Sequence, residues 1–180
     1  TGTRIAVAPV ELMNADSIHP ADTVKYFTMN KRVVYGGGGI MPDVFVPIDT
    51  TLSSAYFSQL VRKGILNTFA LAKVDERREK WLATYPDVAS FARGFVVSET
   101  LDNDLQAYAA KEGVELDATG WERSKELINL RLKALIARDL WNTSAYWQVI
   151  NAENPVDRSF QKAVEALSND TFQRLGMAKQ

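Results

Sequence analysis

The 180-residue chain has no cysteine and a single histidine, His19. Without thiols there is no disulfide and no thiolate metal site, and the redox compartment stays open. One histidine leaves neither a Ser-His-Asp triad nor a histidine-based metal centre any corroboration. Beside Pro20 it reads as a solvated loop residue. Neither sign of charge is in excess: 21 Lys and Arg face 22 Asp and Glu, a net charge of −1. No basic field exists to attract nucleic acid. No apolar run approaches the ~20 residues a spanning helix needs, so no membrane span is expected. The opening Thr1-Gly2 carries neither an initiating methionine nor a leader, so we read the N-terminus as processed or cloned, with any targeting signal outside the chain.

What is present is ordinary globular material, 46% hydrophobic and 24% charged. That length and composition suit one domain, or a small β part joined to a larger helical part. The most distinctive stretch runs from Lys31 to Pro47. Two β-favouring runs, Arg32 to Tyr35 and Val44 to Val46, flank Gly36-Gly37-Gly38-Gly39 and a Met41-Pro42-Asp43 corner. Upstream, Thr23 to Met29 reads as a strand, and Asn30-Lys31 as the turn of a hairpin into Arg32 to Tyr35. Four glycines near a strand also raise the question of a phosphate cradle. A P-loop needs Lys followed by Ser or Thr after the last glycine, and Ile40-Met41-Pro42 stands there instead. The dinucleotide pattern fails too, because these glycines are contiguous and open no helix. No cofactor is expected.

The same stretch carries a family resemblance. Tyr26-Phe27-Thr28, Arg32-Val33-Val34-Tyr35-Gly36 and Gly39-Ile40-Met41-Pro42-Asp43 resemble the segment after the catalytic core of C-terminal processing peptidases, the tail-specific serine proteases of clan S41. The likeness covers about residues 11 to 50, and the four-glycine form with a helical tail resembles the Bacteroidetes members most. Asn30-Lys31 departs from the pattern, where the family usually has glycine before the arginine. The resemblance implies a serine nucleophile in a Gly-Ser-Ala-Ser-Ala-type run and a lysine base in a Gly-Lys-Gly-type turn, both earlier in the chain. Neither motif occurs in these residues. The implied chain is the C-terminal part of such a peptidase without its catalytic dyad, inactive alone and located in the periplasm or cell envelope. Its implied partners are the remainder of the peptidase chain, a polypeptide substrate and a second copy in a homodimer.

From Leu52 onward the spacing predicts helices. The first spans about Leu52 to Lys63, stopped by Gly64, and the second Ile65 to Thr84, where the charged run Asp75 to Lys80 marks a solvated stretch or a break. A short helix follows Pro86. Phe95-Val96-Val97 reads as extended, and Ser98 caps a helix from Glu99 to Glu112 ended by Gly113. The longest helix, Glu122 to Trp141, has an apolar face wide enough to pack on several neighbours. Thr143-Ser144-Ala145 opens another predicted helix, and Asn154-Pro155 begins a last one through Leu167 with Val156, Phe160, Ala163, Val164 and Leu167 apolar.

Serine-lysine catalysis needs a serine beside oxyanion-stabilising amides and a lysine base buried enough to lose its proton. Ser54 and Ser144 open predicted helices, where amides can stabilise an oxyanion, and Lys63 and Lys162 follow downstream. Capping explains the serines better. Glu76, Glu79, Asp102 and Asp104 lie close in sequence but read as a solvated face. No catalytic, cofactor-binding or metal residue is therefore assigned. Among the aromatic residues, Tyr146-Trp147 is kept as a contact surface. The expected architecture is α+β: residues 1–48 as the last strands of a protease core sheet, residues 49–180 as a helical domain. The alternative is a stand-alone helical protein-interaction module without enzymatic activity.

Overall fold

Local capping chemistry divides most of the chain into helices. The structure is a computed structural model that describes residues 25–29, 33–35, 44–47, 50–154 and 158–174. A short antiparallel hairpin comes first, β1 (Lys25–Phe27) against β2 (Val33–Tyr35), with Tyr26 opposite Val34 and Phe27 opposite Val33. The helices are α1 (Ala55–Arg62), α2 (Ile65–Thr84), α3 (Val88–Gly94), α4 (Glu99–Lys111), α5 (Ala118–Leu140), α6 (Thr143–Glu153), α7 (Ser159–Ser168) and α8 (Thr171–Arg174). The described protein is predominantly helical.

Each start from α1 to α6 except α2 has a side-chain oxygen satisfying an otherwise orphan amide. Ser54 accepts from Phe57 N at 3.1 Å, Ser98 from Leu101 N at 3.3 Å, Asp117 from Gly120 N at 2.9 Å and Asn142 from Ala145 N at 3.1 Å. Asp87 and Ser90 form a reciprocal capping box for α3. Each cap contributes about 1 kcal/mol. Two stops need a left-handed residue, Gly64 at φ 72° between α1 and α2 and Gly113 at φ 74° after α4. Only glycine takes that conformation without a steric cost.

The chain divides into two compact units. The first, Thr50–Pro155, holds α1 to α6. At its centre α5 packs on α1, α2 and α6. Ile128, Leu132, Ala134, Leu135, Ile136 and Ala137 are all essentially inaccessible, so the wide apolar face is covered from several sides. An aromatic cluster closes one region of this core. Phe91 stacks on Phe95 at 4.5 Å between ring centres, and Trp81 meets Phe95 edge-on at 5.5 Å. Phe91 also meets Trp141 edge-on at 5.5 Å. Truncating one such buried side chain costs about 2–5 kcal/mol.

The second unit takes in Thr1–Asp49 and Val156–Gln180. Its described parts are the hairpin, residues 44–47, α7 and α8. None of α7's residues is buried: Phe160, Val164 and Leu167 are 49%, 45% and 71% exposed.

The sequence expectations meet this structure unevenly. Charge does not break α2, because Val74 and Trp81 bracket the charged run and are both buried. α5 begins four residues before Glu122, because Asp117 supplies the cap. The predicted last helix from Asn154 begins instead at Ser159, and α6 fills Thr143 to Glu153. Val44 to Val46 form no strand: no described strand pairs with them, and an isolated run gains no ladder hydrogen bonds. The four glycines, Met41-Pro42-Asp43 and His19 lie outside the described residues.

Candidate functional site

Of the serines and lysines singled out from the sequence, Ser54, Lys63 and Lys162 have structural partners. Ser54 Oγ caps α1 and shares a hydrogen bond with Ser124 Oγ, 2.8 Å away. Ser124, fully buried on α5, reaches Leu52 O at 2.8 Å as well, so the pair ties the entry of α1 to the central helix. Ser144 is exposed in the first turn of α6, whose cap is Asn142. Lys63 Nζ donates to Gly113 O at 3.0 Å and closes the C-terminus of α4. Lys162 pairs with Glu165 on the exposed surface of α7. Among the described residues no hydrogen bond joins either serine to either lysine.

The carboxylates differ from one another more than their spacing implies. Lys73 of α2 bridges Asp104 of α4 at 2.8 Å and Glu76 at 3.1 Å. The hydrogen bond from Lys73 holds the Asp104 carboxyl below its ordinary value, and the same bond raises the lysine. Asp102 is not on a solvated face. It is 3% exposed, and burial pushes its carboxyl above the ordinary value despite Lys125 at 3.3 Å. Asp102 Oδ1 is buried without a hydrogen-bond donor among the described residues, which disfavours the ionised acid, while the side chains of Lys125 and Asn129 act the other way. The signal was in the spacing, since Asp102 stands three and seven residues before the buried Leu105 and Ala109. Lys133, also missed from sequence, buries its stem on α5 and donates to Ala92 O at 2.6 Å, at the end of α3. These groups hold helices together. The described residues contain no cluster of three or more His, Cys, Asp or Glu side chains able to hold a metal ion.

Among the described residues a cleft of about 220 Å³ opens between the C-terminal half of α2 and the crossover from α3 to α4. Arg77, Lys80, Trp81, Thr84 and Tyr85 line it from α2 and the residue after it. Phe95, Val96, Ser98 and Leu101 line it from the other side. Trp81, Phe95 and Leu101 are buried and make its apolar part. Tyr85 Oη fixes the start of the crossover by donating to Gly94 O at 3.2 Å. Val96 is 80% exposed at the rim. Arg77 meets Glu76 only at 3.9 Å, and Lys80 meets no carboxylate among the described residues.

Residues 56–142 match a family of unknown function, DUF8443. That span, just under half of the chain, runs from α1 through α5 to the cap of α6. It contains every residue of the cleft and leaves the hairpin outside. No curated protein and no solved structure matches the chain. Among the described residues no helix is long and apolar enough to cross a membrane.

Proposed function

We propose that this chain is the C-terminal part of a tail-specific serine endopeptidase, joined in the whole protein to the core that carries the nucleophile and base. The observation that carries the reading is the run Tyr26-Phe27-Thr28, Arg32 to Gly36 and Gly39 to Asp43, with its resemblance to that family. The hairpin supports it. Tyr26 lies on one face of the strand pair and Phe27 with Val33 on the other, and all three are exposed. Strands apolar on both faces belong inside a larger, covered sheet. Two strands alone are at best marginally stable. In this reading the hairpin completes the core sheet, while the helical unit assists assembly or gates substrate entry in the cell envelope.

The test is the coding sequence upstream of Thr1. A continuous frame encoding a small-residue serine run and then a lysine turn supports the proposal, and a start codon close to Thr1 sinks it. A second reading, a stand-alone helical interaction module, draws on the self-contained core of Thr50–Pro155. It is favoured by that second outcome.

A further inference from the structure

We propose that the cleft between α2 and the Phe95–Ser98 crossover docks an extended acidic segment of another polypeptide, paired along Val96. Main-chain chemistry is the first reason. Phe95 and Ser98 both have extended backbone, and residues 95–98 belong to no helix. The amides and carbonyls of Val96 and Val97 engage no described residue, although the crossover borders a cleft. An extended strip with unused donors and acceptors is the edge to which an added strand pairs. The walls supply the second reason. Trp81 and Phe95 offer an apolar surface for one side chain, and about 220 Å³ accommodates one or two side chains rather than a large ligand.

Charge completes the argument. Arg77 and Lys80 are three residues apart on α2 and so lie on one face, beside the apolar wall. The acids facing them are Glu76, 3.9 Å from Arg77, Asp104, which interacts with Arg77 but is bonded by Lys73 at 2.8 Å, and Glu79, the neighbour of Lys80 in sequence. Lys80 meets none of them within ion-pair distance. Residues i and i+2 of a strand share a face. The fitting segment therefore carries an Asp or Glu two residues from an apolar side chain, the acid at Lys80 and Arg77 and the apolar group on Trp81. The inference is independent of the peptidase reading, because binding is measured without cleavage.

The test uses the 180-residue chain and a peptide with a Glu-Ser-Leu core, acetylated and amidated so that its termini carry no charge, with fluorescein on a distal side chain whose own charge is matched in the Gln-Ser-Leu peptide. Saturable anisotropy binding is expected, weakened about tenfold or more by Lys80→Glu combined with Arg77→Glu and by a Gln-Ser-Leu peptide. Lys111→Glu, an exposed lysine on α4 outside the cleft, leaves binding unchanged. Exchange of the Val96 amide slows when the peptide is added, a readout that needs no variant. Absence of saturable binding, equal binding of the glutamine peptide, indifference to the double charge reversal, or an unaltered Val96 amide each overturns the proposal. Circular dichroism of the variants confirms that the helices persist.

Discussion

The two compact units use apolar residues in opposite ways. In Thr50–Pro155 the helical stripes are covered: Ile128, Leu132 and Ile136 of α5 are inaccessible, as are Leu60 of α1 and Leu105 of α4. In the other unit Phe45 and Val46 are half-buried, but the other large described apolar residues stay in water. Phe27 and Met29 are 68% and 102% exposed, and α7 turns Phe160, Val164 and Leu167 to solvent at helical spacing. The sequence pattern of α7 is as amphipathic as that of a core helix. A stripe of this kind states that burial is wanted, and it does not state what provides it. The helical unit contains its own partners, while the hairpin and α7 show faces that the described residues leave open.

The largest expected effects break this contrast directly. Ile136→Ala and Phe91→Ala each lower unfolding free energy by about 2–5 kcal/mol, whereas Phe160→Ala and Leu167→Ala each change it by less than about 0.5 kcal/mol. Denaturant titration of the four variants decides it. A large loss at Phe160 would show that α7 is covered after all. Gly113→Ala comes next, at about 1–2 kcal/mol, because the positive φ strains any side chain there. Its loss should exceed that of an exposed substitution such as Glu115→Ala in the same titration.

Two neighbouring acids on α4 sharpen the account through opposite pH signatures. Asp104 is lowered by Lys73, so its contribution to stability is present above its ordinary value near 3.8 and disappears as pH falls through the depressed value. Asp102 is raised by burial, so folding favours its protonated form. That advantage is full below 3.8 and is lost as pH rises through the raised value. Asp104→Asn is therefore less stable than the parent at neutral pH and equal to it in acid. Asp102→Asn gains on the parent as pH rises from acid to neutral. Thermal melts across pH 3 to 7, a range of about four units spanning the ordinary carboxylate values, check both directions. Parallel curves for the two variants would contradict the burial of Asp102. The smallest effect is at Tyr56, whose buried hydroxyl has no hydrogen-bond partner. Tyr56→Phe is expected to be neutral or slightly stabilising, since it removes an unsatisfied polar group and keeps the edge-on contact with Trp121.

Much of the helical unit was legible in the sequence because its signals are local. Ser98 caps α4, Gly64 and Gly113 end α1 and α4, and α2 spans the predicted Ile65 to Thr84. Phe95 to Val97 lies outside the helices as expected. The misses are long-range. Asp102 is buried because Lys125 and Asn129 of α5 face it, and Ser54 is engaged by Ser124, seventy residues away in sequence. The cleft joins α2 to a crossover that follows an intervening helix, so its walls, though all between Arg77 and Leu101, meet only once α3 has turned the chain back. Val44 to Val46 show the converse: strand propensity without a described partner yields no strand.

The proposed function makes one central claim, that the helical unit is self-sufficient while the hairpin pairs with strands of a peptidase core. Hydrogen exchange on the isolated 180-residue chain and on the complete gene product tests it most directly. The account expects slow amides in α2 and α5 in both samples. It expects fast amides at Tyr26, Phe27 and Val33 in the isolated chain, slowed strongly in the complete product. Hairpin amides that exchange equally in both samples would contradict it.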